Sequence, residues 1–349
     1  MRSILDRSRR SILCSLFVGL GGAGCVDQPV CLPRPDGAPA QRLSELGLFV
    51  GPLARQQPAP GVTPYTVQAP LYSDGARKLR FVRLPPGATL RYQPDRWDVP
   101  DGTMLVKTFS FPADARDPAL GEQRIETRLL LAEAGGLRGA TYVWNPEQTD
   151  AECSGGQVDV PVRWLDEEGR LRSDFFHVPG TSMCASCHDE HPLGLRTRQL
   201  NVAAAFSDGA QDQIEHLLRA GVVDAAPQPR EEMPSPQGPA PLAERARSYL
   251  DANCGHCHSP GGRAASTGLF WDRAHTAPGE LALCRPADAV GGASRVLVPG
   301  RPDESVFLVR MTSPDPFLRM PRGPTHRPDL LGVTLLTQWV ATMRPAGCP

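Results

Sequence analysis

The chain has 349 residues, a formal net charge of −1 and 40% hydrophobic residues. That is apolar material for about two cored domains at roughly 150 residues each, with no basic block to mark a nucleic-acid partner. Pro (37) and Gly (34) are both abundant, which argues against a long helical bundle and for many turns and irregular connections.

In chain order, residues 1–25 read as an export signal. Arg2, Arg7, Arg9 and Arg10 precede a short apolar run, residues 11–24, that ends in small residues; it is too short to span a bilayer comfortably. Gly22-Ala23-Gly24-Cys25 resembles a lipoprotein cleavage site with Cys25 as the lipidated residue, and an ordinary cleaved signal is the alternative. Ser8-Arg9-Arg10-Ser11 also resembles a twin-arginine signal. No later stretch approaches the ~20 apolar residues of a membrane span, so membrane attachment is expected only through Cys25.

Residues 26–60, rich in Pro, Gly and Ala, read as a tether with a short helical piece near Leu43-Ser44-Glu45-Leu46. Residues 61–182 read as a β-rich domain. Runs 105–111 and 125–131 alternate apolar and polar residues, 141–144, 157–164 and 173–178 are further candidate strands, and Asp101-Gly102 and Glu168-Gly169 are turn signals.

Residues 183–224 hold the first C-x-x-C-H motif, Cys184-Ala185-Ser186-Cys187-His188. On a helical turn, positions i, i+3 and i+4 share a face. Two thiols can therefore add to the vinyl groups of a haem while the adjacent imidazole meets the iron as proximal ligand. A redox dithiol is one alternative, and a zinc half-site completed by His177 and His191 is another. The sixth ligand is open among Met233, His216, His191 or none. Residues 199–221 show a helical period marked by Leu200, Ala204, Ile214, Leu217 and Leu218, with Gly221 as a C-cap. Residues 225–241 are a Pro-rich linker.

Residues 242–349 carry the second motif, Cys254-Gly255-His256-Cys257-His258. An apolar stripe of Leu242, Ala246, Tyr249 and Leu250 precedes it at helical spacing. Met320-Pro321 offers a thioether as distal ligand opposite His258, and Leu331, Leu335, Leu336, Trp339, Val340 and Met343 mark a last apolar helix. This order matches a small mono-haem cytochrome c domain. The expected fold class is thus multidomain β + α, a β-rich domain followed by α-helical cytochrome c-like haem domains. The expected cofactors are two covalently bound c-type haems on Cys184, Cys187, Cys254 and Cys257, with His188, His258 and Met320 as iron ligands. A Met/His pair raises the potential of the iron and suits electron transfer.

Outside the signal and the motifs, four cysteines remain: Cys31, Cys153, Cys284 and Cys348. An even number fits disulfides in an oxidising compartment, and Cys284 with Cys348 is the favoured pair because both fall in the last segment. The five Trp residues read as core rather than electron relays.

The stretches 69–88, 101–109, 125–131, 142–151, 193–201 and 244–258, with both motifs and Arg319-Met320-Pro321-Arg322-Gly323, resemble the poorly characterised bacterial dihaem c-type cytochromes that carry a β domain before two haem motifs. That resemblance implies an exported electron carrier with redox protein partners, a quinoprotein-type dehydrogenase among the candidate donors, and a periplasmic or otherwise extracytoplasmic location. A dihaem peroxidase-like oxidoreductase with an open haem, or a cell-surface binding module with an accessory haem, are the alternative functions.

Overall fold

Period-2 alternation in the first half builds antiparallel strands. The computed structural model describes residues 30–348 except 95, 181–182, 184–187, 189–191, 207–208, 227, 278, 324 and 345–347. Strands β3 (Val62–Tyr65), β4 (Arg77–Arg83), β5 (Met104–Pro112), β6 (Glu122–Glu133), β7 (Gly136–Trp144) and β8 (Ala151–Ser154) form one six-stranded antiparallel sheet with neighbours in sequence order. A small pair, β1 (Phe49–Val50) and β2 (Gln57–Pro58), precedes it, and the hairpin β9 (Val158–Leu165) and β10 (Leu171–Val178) follows it.

Each sheet face has its own covering. On one face, Phe81, Met104, Val106, Leu129, Ala140 and Tyr142 pack with Leu32, Leu43, Leu46 and Leu48 of the N-terminal segment. The stretch that reads as a tether is therefore a strap. It carries the expected short turn at Leu43–Leu46 as a 3-10 helix. It is held by the Cys31–Cys153 disulfide, by Cys153 N–H donating to the Gln41 carbonyl at 2.9 Å and by the Tyr142 hydroxyl donating to the Ala40 carbonyl at 3.0 Å. The other face carries two separate apolar clusters. Phe109, Phe111 and Ile125 pack with Val162 and Phe176 of the β9–β10 hairpin. Val82 and Leu105 pack with Trp97, Leu195, Leu200, Ile214 and Leu217.

The expected α-helical cytochrome c-like haem domains are not formed. Strand makes up 31% of the structure and helix 20%, with five α-helices among the described residues. In the segment that follows the first C-x-x-C-H motif the expected run over 199–221 is broken into α1 (Thr197–Leu200), the hairpin β11 (Ala203–Phe206) and β12 (Gly209–Asp212), and α2 (Gln213–Arg219). Gly209, the first residue of β12, takes φ 109°, a backbone that side-chain-bearing residues avoid. The Asp212 carboxylate caps α2 by accepting from Glu215 N–H at 3.0 Å. In the last segment, α3 (Leu242–Asn253), α4 (Val306–Thr312) and α5 (Leu330–Thr342) are all the α-helix among the described residues. Between α3 and α4 the chain is rich in Pro and Gly without a 3.6-residue period. It builds turns and the hairpin β13 (Pro286–Val290) and β14 (Ala293–Arg295) instead.

The third core joins Tyr249 and Leu250 of α3, Phe307 and Leu308 of α4, and Leu336, Trp339 and Val340 of α5 with Trp271 and Leu297. The Cys284–Cys348 disulfide is present there, closing a separation of 64 residues. Four of the five Trp residues, Trp97, Trp144, Trp271 and Trp339, are buried core. Helices α3 and α5 approach closely at Gly332, where an added Cβ would overlap the Tyr249 ring. Gly332→Ala is expected to cost about 1–3 kcal/mol as overpacking. Urea unfolding checks this, and an unchanged midpoint would show that the helices have room.

Polar contacts fasten the last segment to the sheet domain. Asp74 accepts from His326 N–H at 3.0 Å and from Arg327 N–H at 2.9 Å, and Tyr72 N–H donates to Asn253 Oδ1 at 2.7 Å. The Pro-rich stretch is packed as well. Met233 is buried, and Arg230 pairs with Asp212 at 2.7 Å and with Glu215.

Candidate functional site

Helix α3 delivers the second motif. Beyond Asn253 the chain continues for one more turn, with His258 N–H donating to the Cys254 carbonyl at 2.8 Å and Cys257 N–H to the same oxygen at 3.1 Å. This turn carries Cys254, Cys257 and His258 to the wall of one cavity. Two glycines make it possible. A Cβ at Gly255 would stand 2.9 Å from both the Asp251 carbonyl oxygen and Asp272 Cα, and one at Gly262 would overlap the Cys257 carbonyl.

His258 is buried, and Trp271 fixes its ring. The Trp271 N–H donates to the His258 carbonyl at 2.8 Å, the two rings lie 5.2 Å apart, and Phe307 meets Trp271 edge-on at 5.3 Å. Burial lowers the His258 pKa below that of a free imidazole. The ring therefore stays neutral with a lone pair to give.

Met320 reaches the same cavity from the loop before α5. Its N–H donates to the Arg310 carbonyl at 3.0 Å. Cys254, Cys257, His258, Trp271 and Met320 thus line one cavity of about 300 Å3. Burial, with Cys257 adding to it, pushes the Cys254 thiol up to about 12, the opposite of the depressed pKa of a redox dithiol. Cys254 and Cys257 stand outside any disulfide, whereas Cys31, Cys153, Cys284 and Cys348 are all bridged.

His188 of the first motif is described, whereas Cys184, Cys187 and the alternative ligand His191 lie outside the described residues. His188 and its neighbour Met183 line a second cavity, of about 150 Å3, walled by the sheet, by the end of α3 and by the Met320 loop. The other candidate sixth ligands are elsewhere. His216 stacks on Phe206 at 3.6 Å between ring centres, and Met233 is buried at 3% exposure; neither lines either cavity. His177 is engaged by Asp159. No group of three or more His, Cys, Asp and Glu side chains stands in metal-holding geometry among the described residues.

The sequence reading missed His256, the middle residue of the second motif. It lines both cavities, as do Pro321 and Arg322, so the two sites adjoin. Its Nδ1 is buried without a hydrogen-bond partner, and burial lowers its pKa to about 4. The only signal in the sequence is a third imidazole inside C-x-x-C-H.

Comparison with known protein families, curated proteins and solved structures finds no match. No helix among the described residues is long and apolar enough to cross a membrane.

Proposed function

We propose that the protein is an exported dihaem c-type cytochrome, located in the periplasm or anchored to a membrane through Cys25, that passes electrons from an extracytoplasmic dehydrogenase, a quinoprotein type among the candidates, to a downstream acceptor. The observation that carries this reading is the convergence of Cys254, Cys257, His258 and Met320 on one cavity. The donor chemistry fits: two thiols for thioether bonds, a neutral imidazole and a methionine sulfur. These thiols stay unbridged in a chain whose other described cysteines are all oxidised, as suits thiols that leave the pool by thioether formation.

A c-type haem bound there supplies a one-electron iron couple whose potential a Met/His pair raises. The chain's own residues do the rest. Trp271 and Phe307 hold the His258 ring and keep water from it. The loop through Met320 is fixed at its base by Arg310, whose Nε donates to the Leu318 carbonyl at 2.9 Å. His256, Pro321 and Arg322 form a wall shared by the two cavities and would stand between cofactors held there.

Mass spectrometry of the matured chain and a pyridine haemochrome assay are expected to give two covalent haems per chain. Met320→Ala is expected to abolish the near-infrared sulfur-to-iron band and to lower the potential of that haem. A single haem increment, or a band that survives the substitution, overturns the corresponding assignment.

A further inference from the structure

Two imidazoles from distant parts of the chain meet at the β9–β10 hairpin. His177, near the end of β10, and His326, in the segment before α5, stand with ring centres 4.4 Å apart and planes tilted by 54°. The rings are therefore not stacked. Neither belongs to a core: His326 is exposed, and the His177 side chain is 20% exposed. Apolar burial does not account for the pair.

Both rings are held in place. His177 lies directly opposite Asp159 on β9, and its Nδ1 meets the Asp159 carboxylate. A carboxylate there keeps the proton on Nδ1 and leaves the Nε2 lone pair for an ion, the support that metal-bound histidines commonly have. The backbone that carries His326 is fixed from the other side. The His326 N–H donates to the buried Asp74 carboxylate at 3.0 Å, and the Arg327 N–H does so at 2.9 Å. The Arg327 guanidinium then reaches Asp174 of β10 at 3.2 Å and lies over the Trp164 ring at 5.4 Å. His326 is thereby pinned against the hairpin, and the cation beside it is compensated by a carboxylate. The His326 ring itself forms no hydrogen bond among the described residues.

We propose that His177 and His326 form a binding site for a divalent transition-metal ion, of which zinc and copper suit imidazole ligands. Metal–nitrogen bonds of about 2.0–2.1 Å allow two rings with centres this near to share one ion. No third His, Cys, Asp or Glu stands with them in metal-holding geometry among the described residues, so water completes the coordination and the ion exchanges freely. Once bound, it clips the segment that follows the Met320 loop to the sheet domain. Neither histidine lines the cavity of the second motif, and the proposal is independent of the dihaem reading.

The test uses the matured full-length chain, stripped of loose metal with a chelator, which leaves thioether-bound haem in place. Calorimetric titration with zinc chloride at neutral pH is expected to show one site per chain. Affinity is expected to fall tenfold or more in His177→Gln and in His326→Gln. In Asp159→Asn it is expected to fall about tenfold, the low end of the range for a carboxylate behind a histidine ligand. Zinc is expected to raise the unfolding midpoint of the wild type and to leave that of both His variants where it was. A second measurement needs no substitution. Zinc should protect His177 and His326 together from carbethoxylation by diethyl pyrocarbonate, read by peptide mass spectrometry. No zinc binding at millimolar concentration, binding that survives either His substitution, or protection of only one of the two rings overturns the proposal. An unchanged affinity in Asp159→Asn overturns the part given to Asp159.

Discussion

Replacing Arg198 with alanine is expected to cost about 3–5 kcal/mol of unfolding free energy, the penalty for leaving a buried charge without its partner. Arg198 on α1 is 5% exposed and Asp251 on α3 is 4% exposed. The pair is bidentate, Nε to Oδ2 at 3.0 Å and Nη2 to Oδ1 at 3.1 Å, and Nη1 reaches Glu231 in the Pro-rich stretch at 3.2 Å. One guanidinium thus holds α1, the Pro-rich stretch and the helix that leads into the second motif. Asp251 keeps the Arg273 N–H at 2.9 Å and Arg196 Nη1 at 4.0 Å, which offset part of the loss. Arg198→Met combined with Asp251→Leu should recover most of the stability, because removing both charges also removes their desolvation cost. Denaturant unfolding of the two single variants and the double variant measures the coupling. A single-variant cost below about 1 kcal/mol would mean that the pair behaves like an exposed one.

Replacing both Cys254 and Cys257 with alanine is expected to remove one haem mass from the matured chain and to leave the other in place. The Met320 band should vanish with it, since Met320 faces the same cavity. Cys184→Ala with Cys187→Ala is expected to remove the other haem and spare that band. Intact-mass and near-infrared spectra of the two double variants check both halves. Loss of both haems in either variant would show that neither site is filled independently. An unchanged mass in the first variant would remove haem from that site.

The sheet was legible where strand-forming runs stand between turn signals. The runs at 105–111, 125–131 and 173–178 lie in β5, β6 and β10, and that at 157–164 overlaps β9. The convergence of Cys254, His258 and Met320 was legible too, because one strong local motif and one distant thioether were enough to name the set. Other features were set by long-range contacts that leave no local pattern. Leu32, Leu43, Leu46 and Leu48 sit among Pro and Gly without a period, and their burial comes from a disulfide to β8 and from a sheet far along the chain. The helical marks at Leu200, Ala204 and Ile214 were an accident of spacing, since these residues fall in α1, β11 and α2 in turn. The helices expected around the second motif exist, but among the described residues between them there is no α-helix besides the short α4. The placing of Arg80, Lys107 and Arg128 opposite one another depends on strand register, which no single strand reveals.

The two disulfides join Cys31 to Cys153 and Cys284 to Cys348, so the closed loops neither overlap nor enclose either C-x-x-C-H motif. In a chain that leaves the cytoplasm N-terminus first, Cys31 and Cys153 both emerge before any motif thiol. The first bridge can therefore close before any motif thiol is in reach. The second half has the opposite timing: all four motif thiols are outside before Cys284 appears, and its partner is the penultimate residue. Errors of oxidation thus concentrate in the interval when Cys284 waits for Cys348 beside thiols still open to reaction. Early capture of Cys254 and Cys257 in thioether bonds would close that interval, making attachment of the cofactor a safeguard for correct sulfur pairing as well as a means of holding iron.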